Sequence, residues 1–319
     1  MIDIQRRQIL RILLGLSMGL AVSLAGCRGP AEPGSQPPSD QPQVIATSTI
    51  LANLANSISG DEVEVISILK PGDDPHIYEP VPQDTVAIER ADLIFYNGYN
   101  LEPQLTRLIE EADGQKVAVG EVAEPLSFQY QGQTEPDPHV WGDVENAIAM
   151  VAVMRDSLIQ LDPDSAEVYT NNAEKLTSDL SDLDAWIALQ IATIPPEQRK
   201  LVTTHDAFQY YTSAYGLEVL GTLIGISTEE QPSAQTVQKL VETIQAANVP
   251  AIFAETTLNP QLIRTVAEEA AVALAPNELY SDSIGAPGSS GDSYIDMMVA
   301  NTETIVTGLG GESFPFEPD

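Results

Sequence analysis

The feature that most constrains the fold is an alternation of short β-branched runs with amphipathic segments, interrupted once by a long stretch without glycine or proline. Four runs precede this stretch: VIATSTI (44–50), VEVISIL (63–69), LIFYNG (93–98) and KVAVGEV (116–122). Four more follow it: KLVTT (200–204), LEVLGTLI (217–224), AIFAET (251–256) and VALAPNELY (272–280). Runs of this kind are typical of buried strands. Because helix-like segments separate them, we predict parallel sheets covered by helices.

The interrupting stretch predicts one long helix. Residues 164–194 contain neither glycine nor proline. Five apolar residues within it have helical spacing: Leu176, Leu180, Leu183, Ile187 and Ile191. A helix of about 30 residues is about 45 Å long, enough to connect two lobes. A coiled-coil arm is the alternative, but the apolar stripe covers too few heptads. The coarse prediction is therefore an α/β chain of two βα lobes and a connecting helix.

The N-terminus predicts export. Arg6 and Arg7 precede an apolar run from Ile9 to Leu24 that contains a third arginine, Arg11. This run is shorter than the ~20 residues that a membrane crossing needs. We therefore predict a signal peptide over 1–26, with an uncleaved membrane anchor as the alternative. The segment Leu24-Ala25-Gly26-Cys27 resembles the bacterial lipobox, in which the cysteine becomes the acylated first residue. Cys27 is the only cysteine, so no internal disulfide is possible.

The remaining chain divides by composition. Residues 27–43 are rich in proline and have little to bury, so we expect a flexible tether. The predicted folded parts are an N-terminal lobe (44–161), the connecting helix (162–194) and a C-terminal lobe (195–319). The formal net charge of −33 argues against nucleic acid and against anionic lipid surfaces as partners. It would raise the local concentration of cations, although a charge excess spread along a chain is usually a solvated surface.

The three histidines occupy one kind of position. His76 follows the VEVISIL run, His139 follows KVAVGEV after an intervening loop, and His205 directly follows KLVTT. Asp282 follows the last predicted strand. In open α/β sheets ligands bind beyond the carboxyl ends of the strands, and imidazole and carboxylate are common ligands of divalent transition metals. The pattern is compatible with one metal site in a cleft between the lobes, and also with three unrelated loop histidines.

Four segments carry a family resemblance: DPHIYEP, DPHVW, TTHDAFQYY and YSDSIG. In this order and at these intervals, they resemble the metal-specific solute-binding lipoproteins of bacterial ABC importers. This zinc and manganese family, solute-binding family 9, includes some proteins first described as adhesins. The resemblance implies His76, His139, His205 and Asp282 as metal ligands. It also implies two lobes, each with a parallel four-stranded sheet, joined by one rigid helix.

The same resemblance implies a function and a location. The protein would be a lipid-anchored carrier on the outer face of the membrane, attached through Cys27. It would deliver one divalent metal to a membrane permease driven by a cytoplasmic ATPase. We expect a monomer. The alternatives are a surface adhesin with a structural metal and a secreted metalloenzyme. In a metalloenzyme, Glu255 would be the first candidate for the general base.

The sequence leaves the metal open between Zn²⁺ and Mn²⁺, with Fe²⁺ third. The segment before His139 lacks the His-rich loop that is common in zinc carriers of this family, and this absence favours manganese. An imidazole at position 205 instead favours zinc. Each ligating imidazole needs a partner for its second nitrogen, and the nearest carboxylates in sequence are Asp74, Glu79, Asp137 and Asp206. Trp141 and Phe208 are candidates for keeping the cleft dry or for ordinary packing.

Overall fold

The computed structural model describes residues 41–130 and 133–318, and the signal peptide and Cys27 lie outside them. The strands are β1 Gln43–Ala46, β2 Glu64–Ser67, β3 Leu93–Tyr96, β4 Gln115–Ala118, β5 Ser127–Tyr130, β6 Gln133–Pro136, β7 Lys200–Thr203, β8 Glu218–Thr222, β9 Ala251–Ile252 and β10 Ala273–Leu274. The α-helices are α1 Thr49–Ser59, α2 Pro82–Arg90, α3 Pro103–Glu111, α4 Val144–Leu161, α5 Ala166–Ala192, α6 Gln209–Tyr215, α7 Ala234–Ala247, α8 Gln261–Ala270 and α9 Tyr294–Gly308. No helix in these ranges is long and apolar enough to span a bilayer.

Two parallel sheets form the framework. The first has the order β2-β1-β3-β4 with every pairing parallel. In the second, β7 pairs with β8 and β9 with β10, again in parallel. The N–H of Phe253, just after β9, donates to the carbonyl oxygen of Val202 in β7 at 2.9 Å and joins the two pairs. The resulting order, β8-β7-β9-β10, repeats that of the first sheet. We call the first sheet with α1–α3 the first lobe, and the second sheet with α6–α8 the second lobe.

The strands are buried because both faces of each sheet are covered. Ile45 and Ile94 belong to a core on one face of the first sheet, and Phe95 belongs to a larger core on the other. In the second sheet Val202 faces a separate core, whereas Leu201 joins the larger one. Successive side chains of a strand point to opposite faces, so an apolar run without alternation is the expected pattern for a sheet covered twice.

The long helix α5 covers 27 residues and packs against α1, α4 and α9. All five apolar residues that define its predicted stripe are buried. They belong to the larger core, which also contains Val44 of β1, Leu54 of α1 and Leu201 of β7. One apolar core therefore extends from the first sheet across the helix to the second sheet.

Several local elements differ from the sequence patterns. The predicted strand 44–50 ends at Ala46, and α1 begins at Thr49 because the Ser48 hydroxyl caps it by accepting from the Leu51 N–H at 3.2 Å. The sequence patterns also did not predict the antiparallel hairpin β5–β6 or the helix α4. The hairpin lies between β4 and His139, where a loop was expected. The division of the chain into domains stays a prediction.

Candidate metal centre

His76, His139, His205 and Asp282, which we call the cluster, lie together beyond the carboxyl ends of the two sheets. His76 follows β2, and His205 comes two residues after β7. His139 immediately precedes the short 3₁₀ turn Val140–Gly142, and Asp282 lies in the loop after β10. Each residue offers one ligand atom, and these four atoms lie within 4.8 Å of one another. The structure thus brings together all four residues that the sequence singled out.

The cluster atoms face a common centre at close range. The Nε2 atoms of His76 and His139 are 3.2 Å apart. Nε2 of His139 lies 3.4 Å from Oδ1 of Asp282, and Nε2 of His205 lies 3.2 Å from Oδ2 of Asp282. All four residues are buried, with His76 3% exposed, Asp282 1% and the other two 0%. Buried polar atoms this close to one another need a partner that satisfies them together.

Asp137 fixes the orientation of His139. Oδ1 of Asp137 lies 2.8 Å from Nδ1 of His139 and also accepts the backbone N–H of His139 at 3.0 Å. Burial lowers the pKa of His139, but the charges of Asp137 and Asp282 and the hydrogen bond to Asp137 outweigh burial and raise it to about 9. With Nδ1 held by Asp137, Nε2 is the atom presented to the centre of the cluster. Asp137 was one of the four carboxylates expected from sequence proximity.

Glu255 has the same role for His205, and the sequence did not assign it. One oxygen of Glu255 accepts the backbone N–H groups of Thr204 and His205, both at 2.8 Å. The other oxygen is hydrogen-bonded to Nδ1 of His205. Burial lowers the pKa of His205, whereas the charges of Glu255 and Asp282 raise it well above its usual value. Glu255 follows β9 and reaches His205 because β9 lies beside β7.

His76 differs from the other two histidines because no carboxylate among the described residues holds its ring. Asp74 accepts the backbone N–H of His76, at 3.0 Å, rather than a ring nitrogen. Burial lowers the pKa of His76 to about 3, against the raising effect of Asp282. Oδ2 of Asp74 accepts a hydrogen bond from the Thr228 hydroxyl of the second lobe at 2.6 Å. The His76 loop is therefore bound to a loop on the opposite side of the cleft.

Asp282 brings a buried negative charge to the cluster. Burial raises the pKa of Asp282, but the charge of His205 and the close approach of both neighbouring imidazoles hold it well below its ordinary value. Among the described residues, both carboxylate oxygens of Asp282 and Nε2 of His205 have no partner in hydrogen-bonding geometry. Unsatisfied buried groups of this kind mark strained or ligand-binding positions.

The cluster spacing fits a divalent metal. A tetrahedral centre with bonds of 2.0–2.1 Å places its ligand atoms about 3.3 Å apart, and three distances in the cluster are 3.2, 3.4 and 3.2 Å. The two oxygens of Asp282 face different imidazoles, so the carboxylate can bind through one oxygen or both. One oxygen gives the four-coordinate set that Zn²⁺ prefers, and two give the higher coordination that suits Mn²⁺.

The two aromatic residues expected near the cleft have different surroundings. The Trp141 ring packs edge-on against His139 with centroids 5.4 Å apart, and its Nε1 donates to the carbonyl oxygen of Ser281 at 2.9 Å. This contact joins the His139 and Asp282 loops and excludes water from one side of the cluster. Phe208 packs instead against Tyr211, within the large core. Of these two aromatic residues, Trp141 is the one whose ring packs against a cluster imidazole.

Comparisons with known proteins agree with the geometry. Residues 44–308 match the family described as zinc-uptake complex component A, periplasmic. The chain is 36% identical to the manganese-binding lipoprotein MntA of Halalkalibacterium halodurans, over 92% of this chain and 96% of that protein. It is 33% identical to the manganese ABC transporter substrate-binding lipoprotein PsaA of Streptococcus pneumoniae, over 93% of this chain and 97% of that protein.

A solved structure gives the same result. The periplasmic zinc-binding protein TroA from Treponema pallidum is 33% identical and superimposes with a TM-score of 0.81, covering 84% of this chain and 99% of that one. The predicted α/β fold is confirmed, and so is the family that the four sequence segments indicated. The match extends through both sheets, the connecting helix and all four cluster residues, since it covers 44–308. The chain therefore belongs to the zinc-uptake complex component A family of periplasmic metal-binding proteins.

Proposed function

We propose that this protein captures one Mn²⁺ or Zn²⁺ ion outside the cytoplasmic membrane and delivers it to an ABC permease for uptake. The ligands in this proposal are Nε2 of His76, His139 and His205 and the carboxylate of Asp282. The single observation that carries it is the convergence of these four buried donors within 4.8 Å. The relative at 36% identity is named a manganese-binding lipoprotein, and the relative at 33% a manganese ABC transporter substrate-binding lipoprotein. A structural relative is named a periplasmic zinc-binding protein.

The electrostatics of the cluster support a cation as the natural occupant. Asp137, Glu255 and Asp282 bring three carboxylates to the three imidazoles. A divalent metal at the centre would satisfy the oxygens of Asp282. It would also displace protons from His139 and His205, because the neighbouring carboxylates raise the pKa of both imidazoles. Carboxylates that hold the outer nitrogen of a ligating imidazole also increase its basicity. This arrangement therefore favours a metal dication over a neutral molecule.

The proposed location rests on the N-terminus and on the relatives. The lipobox-like Leu24-Ala25-Gly26-Cys27 would give an acylated Cys27 and a tether to the membrane surface. The relatives MntA and PsaA are named as lipoproteins, and PsaA as an ABC transporter component. The partners in this proposal are a membrane permease and its cytoplasmic ATPase.

A carrier role fits the site better than catalysis. Activation of water by a metal needs an open coordination position and a general base nearby. Glu255, the most tempting base in the sequence, accepts two backbone N–H groups and holds His205. Its oxygens are therefore committed to positioning. We propose that the bound metal is cargo rather than a catalytic centre.

Metal analysis of the protein isolated from its native envelope, followed by competition between Zn²⁺ and Mn²⁺, tests this function. We expect one equivalent of a transition metal per chain, released by a chelator and rebound without turnover of any substrate. A protein that binds neither ion at the cluster would contradict the proposal. A matched preparation with Asp282→Asn separates cluster binding from adsorption to the acidic surface, because this variant keeps the shape of the side chain and removes its charge.

A further inference from the structure

The four cluster residues differ in how far solvent reaches them. Of the four residues, His76 is the most exposed, at 3%, whereas His139 and His205 are fully buried. His76 also lines a cavity of about 430 Å³ that opens between the two lobes. Among residues 41–130 and 133–318, no hydrogen bond to Nδ1 of His76 is found. The side of the cluster that reaches solvent is therefore the side of the unheld imidazole.

A second cavity approaches the cluster from another direction but stops short of it. This cavity of about 500 Å³ is lined by Asp137 and Asp206, together with Ser213 of α6. None of the four cluster residues lines it. The imidazole of His139 and its Asp137 partner separate this cavity from the cluster centre. A metal ion would have to displace the Asp137–His139 pair to pass this way.

The charges at the His76 cavity have a definite arrangement. Glu135 of β6 comes from the hairpin, and Glu229 comes from the loop after β8 in the second lobe. Arg107 of α3 is the one cation among the residues that line the cavity. Glu229 and Arg107 are exposed and Glu135 is half-buried, so all three are in contact with solvent. The walls thus carry two negative charges and one positive charge.

From this arrangement we propose that the metal reaches and leaves the cluster through the His76 cavity, and that Glu135 and Glu229 draw cations into it while Arg107 opposes them. The inference rests on the proposed metal-carrier function. A divalent ion approaching a carboxylate gains twice the Coulomb energy of a monovalent ion, and a narrow cleft with low-dielectric walls concentrates the field. His76 is then the first imidazole that an incoming ion meets.

The charge part of the proposal is tested by stopped-flow binding of Mn²⁺ and Zn²⁺, followed through the fluorescence of Trp141 beside His139. Glu135→Gln and Glu229→Gln should each lower the association rate constant roughly fourfold at low ionic strength. Arg107→Gln should raise it by a similar factor. All three effects should shrink as ionic strength rises from about 0.01 M to about 1 M. Glu174→Gln, an exposed glutamate on the connecting helix α5, is the matched control.

The route itself is tested by narrowing each cavity in turn. Ser227→Phe in the His76 cavity should slow both association and dissociation several-fold, while the equilibrium affinity changes little. Ser213→Phe in the other cavity should leave both rates unchanged. Slower rates with Ser213→Phe and normal rates with Ser227→Phe would overturn the route. Rates in the three charge variants equal to those of Glu174→Gln would overturn the role of the charges. Failure of the unaltered protein to bind either metal at equilibrium would instead contradict the carrier function.

Discussion

Asp74 and Thr228 form a hydrogen bond across the cleft, with the Thr228 hydroxyl donating to Oδ2 of Asp74 at 2.6 Å. The other oxygen of the same carboxylate accepts the backbone N–H of His76. Both side chains are buried, with Thr228 6% exposed and Asp74 9% exposed. One carboxylate therefore fixes the His76 loop and binds it to the opposite lobe.

Thr228→Val should accelerate metal release. The valine has nearly the shape of threonine but cannot donate to Asp74, so a hydrogen bond of about 1 kcal/mol or more is lost across the cleft. We expect the dissociation rate constant to rise roughly fivefold to tenfold, with a smaller change in association. Chelator-chase kinetics measure this. Thr243→Val, whose hydroxyl bonds only within α7, is the control, and equal dissociation rates in the two variants would show that the contact does not retain the metal.

His76→Ala should abolish tight metal binding while the metal-free protein stays folded. In the proposed site the imidazole supplies one of four donors, and it carries no proton at neutral pH, since burial lowers its pKa to about 3. We expect the affinity for either metal to fall by about 100-fold or more. Isothermal titration measures the affinity, and urea unfolding of the metal-free variant checks the fold. An unchanged affinity would remove His76 from the ligand set.

Glu255→Gln should weaken metal binding although Glu255 touches no metal in the proposed site. The amide keeps the side-chain shape but removes the charge that holds Nδ1 of His205. Loss of such an outer partner costs 10- to 100-fold in affinity. Asp137→Asn makes the same change at His139, and the two variants should have similar effects. Glu278→Gln, an exposed glutamate elsewhere in the second lobe, should bind metal normally.

Metal affinity should fall as the pH is lowered. In the metal-free protein the neighbouring carboxylates raise the pKa of His139 to about 9 and that of His205 well above its usual value. At pH 7 both imidazoles therefore hold a proton that the metal must displace. We expect up to two protons released per metal bound, and a loss of up to about 100-fold in affinity per pH unit. Titration in buffers of different ionisation enthalpy counts these protons, and a count of zero would contradict the expectation.

Replacement of His205 by a carboxylate should shift selectivity towards manganese, because a harder oxygen replaces a nitrogen. His205→Glu alone would place two carboxylates together, since Glu255 is hydrogen-bonded to the imidazole that is removed. The informative protein is therefore His205→Glu combined with Glu255→Gln. Competition titrations should show a higher Mn²⁺ to Zn²⁺ affinity ratio than in Glu255→Gln alone. An unchanged ratio would mean that position 205 does not set the preference.

The positions of the cluster residues after predicted strands made one shared site a candidate, and the family resemblance implied these four residues as ligands. His205 comes two residues after β7, and His76 lies in the loop that follows β2. The carboxyl ends of parallel strands meet at one edge of a sheet. Asp137 was predictable because it lies two residues from His139. Glu255 was not, because it lies 50 residues from His205 and their contact depends on the adjacency of β7 and β9. Such contacts depend on which strands are neighbours in the sheet, and the sequence pattern of a single strand does not reveal its neighbours.

Two elements escaped the sequence patterns for different reasons. In α4, apolar residues run without a break from Ala147 to Met154, so no single stripe marks a helical period. The strands β5 and β6 form a short antiparallel pair in a segment rich in glutamine and proline, with few β-branched residues. This β5–β6 hairpin is nevertheless part of the proposed metal route, because it contributes Glu135 to one wall of the His76 cavity.

The apolar core that passes from β1 through α5 to β7 has a mechanical consequence. Interiors packed at crystal-like density resist shear, so two sheets anchored in the same core cannot swing apart as independent bodies. Loading and unloading then depend on local displacement of the loops that carry Asp74, His76 and Thr228. The radius of gyration should accordingly differ little between metal-free and metal-bound protein. A permease that accepts the ion would need to loosen a few loop contacts rather than separate two domains.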